Sequence, residues 1–424
     1  MKLRGKKVTV VGLARSGLAA AELLLEQEAI VSVTDCQDQL KLRENAQRLN
    51  SAQVEIEIGK HSQGLISGRD LVVISPGVPM DAEPIVWARE QGIPVIAEIE
   101  LAYAFCPAPI IAITGTNGKT TVTSLVGKIF QEAGKRSVVC GNIGNPFSAE
   151  VSKLTSQDIV VLEISSFQLE TIDKFKPKVA VILNLTIDHL DRYASFDEYV
   201  QAKCRIFANQ DAQDWAVLNA SLANLKLLGN TAAGCVLFSR EKFKREKFYY
   251  TDNHAAAIAI SSLFSIPEQK AKKTCRNFKG IEHRMEQVAT INDIQFVNDS
   301  KATNVDSAIW ALSSIKKPII LIAGGKDKGS DFTLIKNRVK KNVRALILLG
   351  EAKEKLKQAL AGTVPTEEAA SLDQAVERAF GLAKAGDCVL LSPMCASFDM
   401  FSDYTQRGEV FKQLVQGLAQ KLEC

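Results

Sequence analysis

Ile110-Ile111-Ala112-Ile113-Thr114-Gly115-Thr116-Asn117-Gly118-Lys119-Thr120-Thr121 decides the reading of this chain. An apolar, β-branched run enters a glycine-rich turn, and Lys-Thr-Thr then opens a helical pattern from Val122 to Ala133. Backbone N–H groups of such a turn converge on an anion, and the helix N-terminus adds partial positive charge. Lys119 can reach the β- and γ-phosphates of a nucleotide, and Thr120 or Thr121 can offer a hydroxyl to Mg²⁺. The spacing departs from the general G-x-x-x-x-G-K-[ST] pattern, because Ile113 rather than glycine stands five residues before Gly118. The competing account is a packing-driven βα turn with a stray lysine. The strand before the turn and the helix after it favour the phosphate loop.

The same grammar extends in both directions. Short apolar runs recur at Lys7 to Val11, Leu71 to Ile74, Ile159 to Ile164, Val179 to Leu183, Ile319 to Ala323, Ala345 to Leu349 and Cys388 to Leu391. Most are continuous rather than alternating, as in strands buried on both faces of a parallel sheet. Helical patterns such as Leu18 to Gln27 separate them, which predicts α/β architecture throughout. Strand–turn–helix openings at residue 7, at residue 110 and near residues 294 to 320 look like three fresh starts. At roughly 150 residues per domain, 424 residues also ask for about three. Cys106-Pro107-Ala108-Pro109 reads as a linker, and Val288 to Val297 as a hairpin around Asn292-Asp293. The expected domains are 1–97, 98–284 and 285–424.

Composition closes off several classes. Apolar residues at 46% and charged residues at 24% describe a globular chain rather than a disordered one. Lys plus Arg of 52 against Asp plus Glu of 48 leaves a net charge of +4, too balanced to call for nucleic acid or a membrane surface. No run of about 18 apolar residues occurs, and Val8 to Val11 is too short for a signal peptide. The nine cysteines are odd in number and contain no C-x-x-C pair. A disulfide framework and a structural zinc site are therefore not expected, and a reducing cytoplasm is.

Other residues carry chemistry with alternatives attached. Gly12-x-Ala14-x-x-Gly17 is a weak dinucleotide fingerprint, with Asp35 closing the next strand where a ribose-binding acid sits. It fits NAD, a UDP-sugar or a packing turn equally well. Glu163 ends a buried strand, either as a solvated acid or as a ligand at the carboxyl edge of the sheet. His189, one of four histidines, follows another strand. Two such ligand types beside a phosphate loop favour Mg²⁺. Lys203 reads as an ordinary surface-helix lysine. Asn298 to Asn304 reads as an N-capped helix start, and Gly324-Gly325-Lys326-Asp327-Lys328-Gly329 as a loop suited to a carboxylate or phosphate.

The octapeptide Thr114 to Thr121 resembles the ATP loop of the Mur ligases, the ATP-dependent amide ligases of peptidoglycan precursor synthesis. Further stretches are similar to that family in the same order. They are Val10 to Gly17, Ile74 to Val78, Gly141-Asn142-Ile143-Gly144, Leu162 to Leu169, Asn184 to Arg192, Asn298 to Asn304 and Leu391 to Asp399. The resemblance implies a Rossmann-like UDP-binding domain, a central P-loop ATPase-like domain and a Rossmann-like C-terminal domain. It implies UDP-sugar contacts at Ala14, Arg15, Ser16, Asp35, Ser75, Gly77, Asn142 and Gln168. ATP would be held by Gly115, Thr116, Asn117, Gly118, Lys119, Thr120, Thr121, Asn253, Arg284 and Asp299. Two Mg²⁺ ions would use Thr120, Glu163, His189 and a Lys203 carbamylated by CO₂. Lys119, His189 and Lys203 would be the catalytic set. Lys301, Thr303, Lys328, Ser397, Phe398 and Tyr404 match acceptor positions, and the last motif with Arg407-Gly408 favours D-glutamate. The implied substrates are UDP-MurNAc-L-Ala and D-glutamate, joined through an acyl phosphate by a monomer acting without nucleic acid or membrane.

The chain departs from the family pattern at one place. Around residue 253 a G-x-H-N segment is missing and only Asn253 remains, so adenine contacts in the short 228–252 region are left open. The rival readings are another Mur-type ligase or folylpolyglutamate-type synthase, a P-loop nucleotide switch, and a NAD dehydrogenase built on Gly12 to Asp35. The synthase would lack the first domain.

Overall fold

The computed structural model describes residues 1–49, 54–190, 192–223 and 231–423. Asp191 of the Asn184–Arg192 motif and residues 228–230 of the shortened region lie outside the described residues. Three sheets are built in chain order. The first holds β1 (Lys7–Val11), β2 (Ile30–Asp35), β3 (Glu55–Ile58), β4 (Leu71–Ile74) and β5 (Val95–Ala97), all parallel, in the order β3-β2-β1-β4-β5. The second holds β6 (Ile110–Thr114), β7 (Ser137–Gly141), β8 (Ile159–Glu163), β9 (Val179–Ile182), β10 (Trp215–Asn219) and β11 (Gly234–Phe238). Its order is β11-β10-β9-β6-β8-β7, again all parallel.

That order explains where a ligand can sit. From β6 the chain passes to the edge strand β7, returns to β8 beside β6, then crosses to the other side at β9. The carboxyl ends of β6, β8 and β9 therefore flank the point where the winding reverses, the crevice in which open α/β sheets bind ligands.

The strand β6 is buried along its whole length, and its two faces enter different cores. Ile111 and Ile113 pack with Val122, Val126 and Ile258 of the covering helices. Ile110 and Ala112 join a core that includes Val8 of β1, Leu24 of the helix Arg15–Glu26, Phe175, and Leu218 of β10. Burial on both faces is the reason the run has no polar alternation.

The shared core also changes the expected linker. The helix Glu98–Tyr103 is buried on most positions. Glu98 Oε1 accepts the Ser148 N–H at 2.6 Å. The Glu100 carboxylate accepts three successive N–H groups, from Asp173, Lys174 and Phe175, at 2.8 to 3.0 Å. Ala108 is 7% exposed. Residues 106–109 thus connect firmly anchored neighbours, with Ala108 buried and Pro107 exposed. The chain accordingly divides into two compact units, residues 1–185 with 197–278, and residues 186–196 with 279–424.

The second unit carries the third sheet. It consists of β12 (Glu286–Ile291), β13 (Ile294–Asn298), β14 (Ile319–Gly324), β15 (Val343–Leu349), β16 (Thr366–Glu368) and β17 (Cys388–Leu391). The order is β12-β13-β17-β14-β15-β16, with only the β12–β13 pair antiparallel. Asn292 and Asp293 join that pair with φ of 50° and 60°, the left-handed conformation a two-residue hairpin of primed type needs. The eight described cysteines are free, and no described helix is long and apolar enough to cross a membrane.

Candidate active site

The phosphate loop stands at the carboxyl end of β6. Gly115 has φ 147° and Gly118 φ 83°, values that favour glycine. Gly118 caps the helix Lys119–Glu132, and no side chain occupies the cap position. The N–H groups of that first turn are what a phosphate can use. Asn184 clamps the loop from the next strand. Its Oδ1 accepts from the Asn117 N–H at 2.8 Å, and its Nδ2 donates to the Asn117 carbonyl at 2.9 Å. The Lys119 ammonium donates to the Gly115 and Thr116 carbonyls at 2.9 and 2.8 Å. Asn253, in the first turn of the helix Asp252–Ser262, packs on the loop so closely that a Cβ on Gly118 would come within 2.5 Å of its Oδ1. The structure brings Gly115 to Thr121 and Asn253 together.

Glu163 and Lys203 sit beside this loop. Glu163 lies opposite Ile113 in the register of β6 and β8. It is 1% exposed, so it is no solvated strand-end acid. Its Oε1 accepts from the Asn142 amide at 2.7 Å, while Oε2 is buried with no hydrogen-bond partner. A buried carboxylate oxygen left unpaired is costly, and a hard cation satisfies it. Lys203 is 1% exposed, which corrects its reading as a surface lysine. Its Nζ lies 3.4 Å from the Thr114 hydroxyl and 4.6 Å from the centroid of the Tyr199 ring. The Tyr199 hydroxyl in turn donates to Thr116 Oγ1 at 3.1 Å.

The amino-terminal loop has the same design. Ala14 caps the helix Arg15–Glu26 without a side-chain bond. A Cβ on Gly17 would overlap the Gly12 carbonyl. The Asp35 carboxylate accepts the N–H groups of Leu13 (2.8 Å) and Gln37 (2.9 Å), so it shapes the loop. Ser75 Oγ donates to the Gly12 carbonyl at 3.0 Å. Gly77, Ala14 and Arg15 are exposed, and Arg15 reaches the Gly144 carbonyl of the central domain at 2.8 Å. Gln168 is buried, its Oε1 accepting from the Ser165 N–H as half of a capping box.

The second unit holds the remaining candidates. Asp299, 1% exposed, accepts from the Met285 N–H and the Ser392 hydroxyl. Burial pushes its carboxyl up to about 6, against the charge of Arg284 and these bonds. Lys301 donates to the Tyr404 hydroxyl at 2.9 Å. Ser397 is buried, Thr303 half-buried, and Phe398 68% exposed. Lys328 pairs at 2.9 Å with Asp188, a residue the sequence reading did not single out. Asn304 Nδ2 donates to the other Asp188 oxygen at 2.9 Å. Burial alone would raise the Asp188 carboxyl, but Lys328, His189 and these hydrogen bonds hold it at about 2. His189 follows directly, with φ 56°, and its N–H donates to Asp188 Oδ1 at 2.9 Å.

Arg407 was quoted only as part of a motif, yet it is 3% exposed and donates to Ser300 Oγ and to the carbonyls of Ser300, Cys395 and Ala396. It pins the Ser397 loop to the Lys301 loop. The sequence signal for Asp188, Asn184 and Arg407 was their place in family-like stretches, Asn184 to Arg192 and Arg407-Gly408, with no role attached to the individual side chains.

Comparison with known proteins bears on this arrangement. Family profiles described as the Mur ligase MurD-like N-terminal domain, the Mur ligase middle domain and the Mur ligase glutamate ligase domain match residues 6–97, 113–277 and 283–395. The chain is 43% identical over 448 residues to the UDP-N-acetylmuramoylalanine–D-glutamate ligase of Geotalea daltonii, covering 99% of each. It is 41% identical to the enzyme of that name from Caldanaerobacter subterraneus, covering 99% of this chain and 100% of the relative. Among solved structures, the UDP-N-acetylmuramate–alanine ligase MurC of Thermotoga maritima aligns with a TM-score of 0.60 at 18% identity over 97% of this chain and 99% of that one. MurF of the same organism, in complex with ADP, aligns at 0.59 and 12% over 99% and 97%. These two share the fold. The three family profiles, which together match most of the chain, and relatives over 40% identical along nearly its whole length establish that this chain belongs to the Mur ligase family.

Proposed function

We propose that the chain is an ATP-dependent ligase that joins D-glutamate to UDP-N-acetylmuramoyl-L-alanine in peptidoglycan precursor synthesis. The observation that carries the reading is the uncapped phosphate loop 115–121 with the buried, unpaired Glu163 Oε2 at the same sheet edge. The names of its relatives and the acceptor-type cluster around Lys328 point to the amino acid. The proposed domains are 1–97 for the UDP-sugar, 98–284 for ATP and 285–424 for the amino acid.

The loop N–H groups and Lys119 hold and neutralise the phosphate chain of ATP while its γ-phosphoryl passes to the alanine carboxylate. The acyl phosphate splits one hard condensation into two easier steps. The D-glutamate amine then attacks the acyl carbon, and ADP, phosphate and the new amide leave. Thr120, Glu163, His189 and Lys203 are the proposed Mg²⁺ donors, and the ion would supply charge neutralisation at the transferring phosphoryl. A buried ammonium is costly. Loss of one proton from the Lys203 ammonium, addition of the neutral Nζ to CO₂ and loss of a second proton from that nitrogen would replace the cation by an anionic carbamate oxygen ligand. Asn253, Arg284 and Asp299 are proposed ATP contacts. Ala14, Arg15, Ser16, Asp35, Ser75, Gly77, Asn142 and Gln168 are proposed for the UDP-sugar. Lys301, Thr303, Lys328, Ser397, Phe398 and Tyr404 are proposed for the acceptor. A monomer working in the cytoplasm is part of the same reading.

The test is phosphate release with UDP-MurNAc-L-Ala, with and without D-glutamate. Release that depends on both supports the reading. Ligation to a UDP-muramoyl dipeptide or tripeptide in place of the L-alanine form overturns it. Slow hydrolysis indifferent to both substrates would point to a nucleotide switch.

A further inference from the structure

Lys328, proposed to bind an acceptor carboxylate, is already paired with a buried acid, Asp188. Asp188 divides its two oxygens. Oδ1 takes the Lys328 ammonium and the His189 N–H, both at 2.9 Å. Oδ2 takes the Asn304 amide at 2.9 Å and faces His189 Nε2 at 3.8 Å. Side-chain exposure is 8% for Asp188 and 13% for Lys328. The segment is tied down nearby, where the Thr186 hydroxyl donates to Asp306 at 3.4 Å.

Such a doublet is the mirror of an α-amino acid, whose carboxylate and ammonium stand on one carbon. A lysine ammonium has three donors and a carboxylate about four acceptor sites, so each can keep its present bond and take a ligand group as well. The charges also match. Lys301 and Lys328 supply two positive charges and Asp188 one negative, against two carboxylates and one ammonium on glutamate. The neighbouring acids are committed elsewhere. Asp327 pairs with Lys355 and accepts from Ser330, and Asp299 accepts from Met285 and Ser392.

We propose that Asp188 is the residue that receives the α-ammonium of the acceptor amino acid while Lys328, beside it, receives the carboxylate. The assignment rests on the D-glutamate reading given above. It makes Asp188 the group that distinguishes an amino acid from a plain dicarboxylate.

The experiment compares D-glutamate with glutarate, the same five-carbon dicarboxylate without the ammonium. KM for D-glutamate and the competitive inhibition constant of glutarate are measured for the full chain, Asp188→Asn and Lys328→Gln, with circular dichroism as a check on folding. Asp188→Asn should raise KM for D-glutamate by about tenfold or more, the loss expected for a charge-assisted hydrogen bond. Glutarate should bind Asp188→Asn as well as, or better than, the unaltered protein. Lys328→Gln should weaken both ligands. If turnover of Asp188→Asn is too low to measure, calorimetry with the same two ligands reads the same contrast. Parallel weakening of both ligands in Asp188→Asn would mean that the acid only orients Lys328 and would overturn the proposal. An unchanged D-glutamate KM would do the same. If the unaltered chain neither binds D-glutamate nor releases phosphate in response to it, the acceptor reading itself fails, and the proposal with it.

Discussion

Lys203 stands in a helical stretch, Tyr199 to Phe207, whose composition looks like a solvated face. The fold instead buries its ammonium against Thr114 and the Tyr199 ring. Nothing in the local sequence encodes that burial, because it depends on β6, whose end lies 89 residues earlier. A carbamate there should make Lys203→Ala nearly inactive and partly rescued by short carboxylates such as acetate or formate, read as phosphate release. Absence of rescue would count against the carbamate. Lys119→Ala should abolish acyl-phosphate formation, trapped with hydroxylamine, while UDP-substrate binding by calorimetry persists.

Asp299 allows a signed pH prediction. Its carboxyl is held at about 6 in the fold against 3.8 ordinarily. An acid raised in this way costs nothing below about pH 4 and destabilises progressively as pH rises through 6. The full penalty is on the order of 2–3 kcal/mol. Asp299→Asn should therefore melt several degrees higher than the unaltered protein at pH 7.5. The gap should close by pH 4, and ATP affinity should fall. A lower melting temperature at pH 7.5 would refute the burial argument.

Strands were the most legible elements. β1, β4, β6 and β17 fall on the residues the apolar runs predict, because a strand buried on both faces leaves an unbroken signal. The β12–β13 hairpin was legible through Asn292-Asp293, whose types tolerate positive φ. What the sequence could not reveal were the bonds that shape each loop. Asp35 matched a ribose-binding position, yet its oxygens accept from Leu13 and Gln37. Asn184 follows β9 as one polar residue among several, and only the pairing of β9 with β6 sets it against Asn117. The loop after β1 gives the prediction at this scale. Gly17→Ala forces a Cβ onto the Gly12 carbonyl. It should weaken UDP-substrate binding by about tenfold or more, in line with the 1–3 kcal/mol of an overpacked site. ATP binding should change little, and calorimetry with each ligand separates the two.

At the scale of the molecule, three sheets answer the length arithmetic, but they are gathered in two compact units. The Pro-containing stretch 106–109 looked like a linker, and proline does punctuate structure there. Composition could not show that Glu98 and Glu100, just upstream, would lock the connection to Ser148 and to residues 173–175. Glu100→Gln removes the charge from an acceptor of three N–H groups. It should lower the stability of the unit that holds the first two sheets by about 1–3 kcal/mol, read as a shift in urea midpoint.

The segment 186–196 belongs to the compact unit formed with residues 279–424, although its flanks belong to the other. Asp188 and Lys328 are 140 residues apart. At about 5–20 residues per second of synthesis, roughly 7–30 s separate their emergence from the ribosome. The second sheet can assemble in that interval, because its last strand ends at Phe238. The loop bearing Asp188 and His189 cannot, since its partners do not yet exist. Translation thus imposes an order of maturation in which the first two sheets are complete while the loop bearing Asp188 still waits for the final third of the chain.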